Sequence, residues 1–258
     1  MATRFLFIAM ALAVALGGCE TTPEQDANND PLEPVNRVMF DINFAVDRYV
    51  GVPAGAVYTA VVPKPVRHGI HNALQNLGAP VTFSNDLLQG EPERAAQTLY
   101  RFGVNSTFGI GGLIDIGSIA GVPPHREDFG QTLGVYGVGE GPYLVLPFIG
   151  PAPPRDLAGH YIDAFMDPLY YISFEGRHKL LIGRHFAGLA DGQAEAMGAV
   201  KQIEASADPY AAARSAYRQH RNAEIRNGVP DTNHLPDITN VPPTSDTFSP
   251  FDTDTHKE

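Results

Sequence analysis

The residues of this chain best suited to chemistry are a histidine pair, two aspartates, one serine among glycines, a glycine triplet and a single cysteine. His68 and His71 stand three apart, the spacing of two metal ligands on one helix face, but no third ligand stands at a fitting distance in the sequence. Exposed polar histidines are the simpler reading. Asp128 and Asp156 make an acid pair only if folding joins them, and Arg155 beside Asp156 offers a local ion pair; structural roles suit both better. Ser118 lies in Gly117-Ser118-Ile119-Ala120-Gly121, which lacks the spacing of a nucleophile elbow. Gly137-Val138-Gly139-Glu140-Gly141-Pro142 fails as a dinucleotide loop, because proline fills its sixth position and no strand-turn-helix context surrounds it. No Gly-Lys-Ser or Gly-Lys-Thr serves a phosphate loop. With no nucleophile and base in a recognisable arrangement, the sequence points away from an enzyme, and neither a metal nor another cofactor is expected.

The cysteine has a different use. Met1-Ala2-Thr3-Arg4 is a basic start, Phe5 to Leu16 an apolar run, and Gly17-Gly18-Cys19 a small-residue cleavage point, so residues 1–18 read as a secretory signal. The run is short of the roughly 20 residues a membrane-spanning helix needs. Leu16-Gly17-Gly18-Cys19 resembles the lipobox of bacterial lipoproteins, which implies that Cys19 becomes the acylated first residue of the mature chain. Being the sole cysteine, it makes no intramolecular disulfide. Several acyl chains on it would anchor stably, since each buried methylene contributes about 0.8 kcal/mol and one chain alone is marginal. Glu20 follows where an aspartate would favour the inner membrane, so the outer membrane is expected.

Composition agrees with a lipid setting. Charged residues are 18% of the chain, below the roughly 25% of a soluble domain, as expected if part of the surface faces lipid. A net charge of -11 argues against a nucleic-acid partner.

Residues 19–33 read as a flexible tether and 229–258 as a disordered, acidic, proline-containing tail. Between them helices dominate. The first runs from Pro34 to about Tyr49, with Val35, Val38, Met39, Ile42, Ala45, Val46 and Tyr49 at steps of three and four. A second begins near Pro65, with Val66, Ile70, Leu74 and Leu77 as its buried face, and Asn85 to Gly90 closes a short helical piece. A third opens at Pro92 with Glu93, Arg94 and Arg101 outward. The run Phe108 to Gly121 reaches only about 20 Å as a helix, against a hydrocarbon core of roughly 30 Å. It is either re-entrant or a buried core helix, and Asp115 within it is either a capped, paired acid or a polar group on a wet passage. Asp128 to Asp156, with six glycines and five prolines, leaves no room for a helix and reads as a shaped loop or irregular hairpin. Its apolar residues must pack on protein or lipid. Short helices broken at Pro168 follow, then helices over 176–206, with interruptions, and 208–227. The last has Asp208 as N-cap, Pro209 in its first turn and Gly228 past its end. Its Arg214, Arg218 and Arg221 form a basic face, solvated or meeting head groups or an acidic partner.

Asp30-Pro31-Leu32-Glu33-Pro34-Val35-Asn36-Arg37, Asn85-Asp86-Leu87-Leu88-Gln89-Gly90, Arg101-Phe102-Gly103-Val104-Asn105-Ser106-Thr107 and Gly137-Val138-Gly139-Glu140-Gly141-Pro142-Tyr143 occur in an order that resembles the MlaA/VacJ family of outer-membrane lipoproteins. Ser206-Ala207-Asp208-Pro209-Tyr210 with Arg214 and Tyr217 is similar to that family's closing helix. The resemblance covers about residues 30–228. It implies a mostly α-helical, ring-like bundle of amphipathic helices embedded in the membrane, with a polar passage through it. Such proteins remove misplaced phospholipid from the outer leaflet and pass it to a soluble periplasmic lipid carrier, often while bound to a trimeric porin. On that reading the glycine-rich loop lines or gates the passage, with Gly137, Gly139 and Gly141 as flexible points and Tyr143 as an interfacial anchor. Asn43, Phe44 and Asp115 are further candidates for contact with passage or leaflet. The rival readings are a lipoprotein that only docks a porin and a tethered periplasmic hydrolase.

Overall fold

A computed structural model describes residues 29–228; the signal sequence, Cys19, most of the tether and the 229–258 tail lie outside the described residues. Prolines mark where helices begin, because the first turn has no use for the N–H that proline lacks. A proline stands in the first turn of α1 (Glu33–Val46), α2 (Val52–Val61), α3 (Lys64–Leu88) and α4 (Pro92–Thr107). The same holds for α7 (Pro154–Met166) and α9 (Pro209–Ile225). The first helix does not stop near Tyr49. It continues through a five-residue π-helical segment, Asp47–Gly51, into α2. That wider turn accommodates Pro53, whose ring would otherwise press on the carbonyl four residues back.

α3 is one helix of 25 residues, not two pieces, and passes through Pro80. An internal proline costs about 3 kcal/mol; here α3 packs on α4 more heavily than any other pair of elements does, and that packing offsets it. Gly90, with φ of 76°, turns the chain between them. The Phe108 to Gly121 run is neither helix that the sequence offered. Ile110, Gly111, Gly112 and Gly121 take positive φ, and only α5 (Ile116–Ile119) is helical.

The stretch expected to exclude helix holds the whole of one and the start of another. α6 (Phe129–Val135) is capped by Asp128, whose carboxylate accepts from the Gln131 N–H, and α7 begins at Pro154. Gly130 and Gly134 permit close packing, while Gly137, Gly141 and Gly150 take positive φ and turn the chain. A Cβ on Gly159 would lie 2.2 Å from the Gly130 backbone nitrogen, so α6 and α7 meet backbone to backbone. Between them is the small hairpin, β1 (Val145–Leu146) paired antiparallel with β2 (Gly150–Pro151). After a 3-10 turn at Pro168–Tyr170, α8 (Arg177–Glu204) runs without interruption and α9 ends the described chain.

The packing closes a circuit. α9 meets α6 and α8, α6 meets α3 and α7, and α8 meets α2 and α3. Since α2 continues α1, and Arg37 of α1 donates to the α9 cap Asp208 at 2.8 and 3.0 Å, the helices form a ring-like bundle. No helix among the described residues is long and apolar enough to cross a membrane.

Burial in this ring is inverted. Among the described residues five buried side chains are apolar and sixteen are polar or charged, the reverse of a soluble core. α3 buries Asn76, Thr82, Asn85 and Asp86, and α4 buries Ala95, Thr98, Arg101 and Asn105. The apolar face assigned to α3 from its spacing is therefore not its buried one, and Val66 is exposed. Arg101, expected outward, is buried. Leu99, Tyr100, Phe165, Ile182 and Phe186 are exposed and lie away from the cavity lining. The apolar cluster that does exist joins Tyr143, Val145 and Tyr210 to Met39, Phe40 and Tyr217.

Candidate functional site

The buried polar faces converge on a cavity of about 930 Å³ walled by α3, α4, the 124–131 segment, α7 and α8. One wall is a continuous hydrogen-bonded network. Thr98 donates to Asp86 at 2.6 Å, His125 Nε2 lies 3.0 Å from the same carboxylate, and Arg94 pairs with Glu127. Asn85 donates to Asp163 at 3.0 Å and accepts from Thr132 at 2.8 Å. Burial pushes the Glu127 and Asp163 carboxyls up, against their hydrogen bonds from Gln89 and Asn85. On the opposite side Arg184 pairs with Asp167, and His71 lies against Asp191. Oδ1 of Asn76 and Oε1 of Gln131, both buried on the cavity wall, have no partner within the protein. Alongside apolar side chains such as Leu74, Phe102 and Leu189, the cavity thus presents both signs of charge and unspent acceptors, which suit it to receive a polar or zwitterionic group.

A second polar cluster closes the ring. Arg214 of α9 pairs with the fully buried Asp30, which also accepts from the hydroxyl of Tyr210 and from Asn36. The ordered body therefore starts before Pro34. Arg221 bridges Asp128 at 2.7 Å and Asp156 at 3.0 Å, while the Tyr217 hydroxyl donates to Asp156 at 2.6 Å. The basic face, read as solvated or meeting head groups or an acidic partner, is a clasp on acids of the same chain. Arg218 pairs with Glu140 at 2.9 Å and lies over the Tyr143 ring. Burial works to raise the Asp128 and Asp156 carboxyls, but hydrogen bonds from Arg221 to both, and from Arg155 to Asp156, prevail and hold them low. The two aspartates do meet, as a structural pair around one guanidinium.

None of the seven passage candidates lines the cavity. Tyr143 is not an interfacial anchor: it is 1% exposed and sits edge-on to Tyr210 and Tyr217. Asn43 clamps the hairpin, donating to the Leu146 carbonyl at 2.8 Å and accepting from the Phe148 N–H at 2.6 Å. Phe44 stacks on Phe40 at 5.5 Å. Asp115 caps α5; burial opposes its ionisation, yet hydrogen bonds from Ser118, Arg101 and Asn105 hold it at about 2. It is the capped, paired acid of the two alternatives. Gly137 and Gly141 need their positive φ, and a Cβ on Gly139 would meet open space. The residues that do line the cavity carried a usable signal. Thr98, Arg101 and Asn105 recur at helical spacing on α4 and line the cavity, as Thr82 does from α3; of these the sequence assigns a direction only to Arg101, and that is outward.

A closed ring of short amphipathic helices, polar within and apolar without, belongs to the class of helical proteins that sit in the lipid phase and enclose a polar space. The family model described as "MlaA lipoprotein" matches residues 28–224, and the chain belongs to that family. It is 35% identical over 246 residues to the "Intermembrane phospholipid transport system lipoprotein MlaA" of Haemophilus influenzae, covering 92% of this chain and 97% of the relative. The Escherichia coli K12 protein of the same name is 34% identical over 234 residues, covering 88% and 90%. A solved structure described as "Structural basis for maintenance of bacterial outer membrane lipid asymmetry" superposes with a TM-score of 0.68 at 34% identity. It covers 76% of this chain and 98% of that one.

Proposed function

We propose that this protein removes mislocalised phospholipid from the outer leaflet of the outer membrane, conducting the head group through the polar cavity to a periplasmic lipid carrier. Inverted burial around that cavity carries the proposal. Lifting a diacyl lipid of about 30 methylenes bare into water costs on the order of 25 kcal/mol at about 0.8 kcal/mol each. Transfer therefore needs a body that keeps the acyl chains against an apolar surface while the head group crosses a wet one, and the ring offers both. The relatives named for intermembrane phospholipid transport support the same reading. Acylation at Cys19 anchors the chain, a trimeric porin is the proposed membrane partner, and Gly137, Gly139 and Gly141 are proposed as hinges of a loop that admits lipid near the ring.

Gly188 and Gly78 line the cavity, and a Cβ on either would touch nothing within 4 Å. Tryptophan at Gly188 thus narrows the cavity without a clash. In a strain lacking the native protein, outer-leaflet phospholipid labelling should rise, fall when the protein is restored, and stay high when Gly188→Trp is supplied. Gly198→Trp, also in open space but away from the cavity, should restore the low level. Full rescue by Gly188→Trp at normal abundance contradicts the reading.

A further inference from the structure

Where α3 and α8 meet at the cavity wall, three ligand-type side chains come to one point. Nδ1 of His71 lies 2.7 Å from Oδ2 of Asp191 and 3.0 Å from Oε1 of Glu195. Asp191 and Glu195 are four apart on α8, so their carboxylates leave one helix face, and both belong to the cavity lining. A plain ion pair explains only part of this. One Nδ1–H has a single proton to give, and two carboxylates of like charge compete for it. A divalent cation satisfies both.

We propose that His71, Asp191 and Glu195 bind one divalent transition-metal ion, zinc by ligand type, that clips α3 to α8 at the edge of the cavity. One imidazole and two carboxylates are ligands zinc takes, with water in the fourth position. Around a tetrahedral ion with bonds of roughly 2.0–2.1 Å, ligand atoms stand about 3.3 Å apart. The three ligand atoms already lie within 4.8 Å of one another, so small rotations suffice. Asp191 is nearly buried and fixed, while the Glu195 side chain is 62% exposed and free to adjust.

Two neighbours point the same way. The Gln75 amide lies 2.6 Å from Nε2 of His71. The facing atom is the amide nitrogen, Nε2 of Gln75; once that amide turns so that its oxygen accepts the Nε2–H, the Nδ1 lone pair is left for a metal, and Gln75 is then the orienting partner that ligating histidines usually have. The Tyr58 hydroxyl is buried without a protein partner and lies within electrostatic reach of Asp191; a metal-bound water is a partner of the kind such a hydroxyl requires. The sequence offered His68 as the companion of His71 and favoured exposed polar histidines for both. His68 is exposed, and the fold supplies Asp191, 120 residues away, in its place.

The test uses full-length, untagged protein in detergent, stripped with a chelator and titrated with zinc sulfate against a chromophoric zinc indicator. One equivalent should bind with micromolar or tighter affinity and raise the melting midpoint. Glu195→Gln, at an exposed position the fold does not depend on, should weaken binding by about 10-fold or more. His71→Ala should abolish it, and His68→Ala should leave it unchanged. Less than one equivalent bound by the native chain overturns the proposal, as does native affinity in Glu195→Gln. Failure of the site would leave the lipid-transport reading standing, since the cavity-narrowing variant tests that separately.

Discussion

Arg221 donates to both Asp128 and Asp156 from a largely buried position, so removing it leaves two acids with one partner fewer. Arg221→Met should cost on the order of 3 kcal/mol, the range seen when one partner of a buried pair is lost, read as a drop in melting midpoint in detergent. Both carboxyls are held below their ordinary value. Their contribution is therefore fully present above the unfolded-state value of about 4 and is lost as pH falls through the depressed one. The melting midpoint of the native chain should decline below about pH 4, and that of Arg221→Met should decline less. Little of this was legible beforehand. Asp208 and Gly228 announced the ends of α9 correctly, because caps are local. The partners of Arg214 and Arg221 lie far off in sequence, and nothing local distinguishes a buried arginine from a solvated one.

At the scale of elements, proline and glycine were informative where they act locally and misleading where they act across the fold. Proline gave the start of α1, α4 and α9, since a fixed φ suits a first turn. The first helix was expected to end near Tyr49 and α3 to fall into two pieces, but a π-helical turn carries the chain past Pro53 and α3 continues through Pro80. The six glycines between Asp128 and Asp156 suggested loop throughout, yet Gly130 lies inside α6, its backbone nitrogen 2.2 Å from where a Cβ on Gly159 of α7 would stand. Gly159→Ala should therefore unseat α6 from α7 and lower stability by about 1–3 kcal/mol or more, as overpacking does. Gly198→Ala, with open space around it, should stabilise α8 by up to about 1 kcal/mol. Opposite shifts in the two melting midpoints check the pair. Equal shifts would mean that α6 and α7 are not in backbone contact.

For the whole molecule, the helical periodicity was right and the side it faces was wrong. An amphipathic pattern gives the width of the apolar stripe but not which solvent lies beyond it. In water Leu99 would turn inward and Thr98 and Asn105 outward; in this ring they do the opposite, which a lipid surround makes favourable. The low fraction of charged residues hinted at this, and the family motifs pointed to a ring. The two-sided body is the claim on which the lipid-transfer reading rests. Its most direct test places nitroxide labels, one at a time, on the outside at Val57 and Phe186 and in the cavity at Gly78 and Gly188, with the protein reconstituted in phospholipid vesicles. Labels at Val57 and Phe186 should be relaxed by oxygen, which partitions into lipid, and shielded from a water-soluble nickel complex, with the reverse at Gly78 and Gly188. Equal nickel access at all four positions would contradict it.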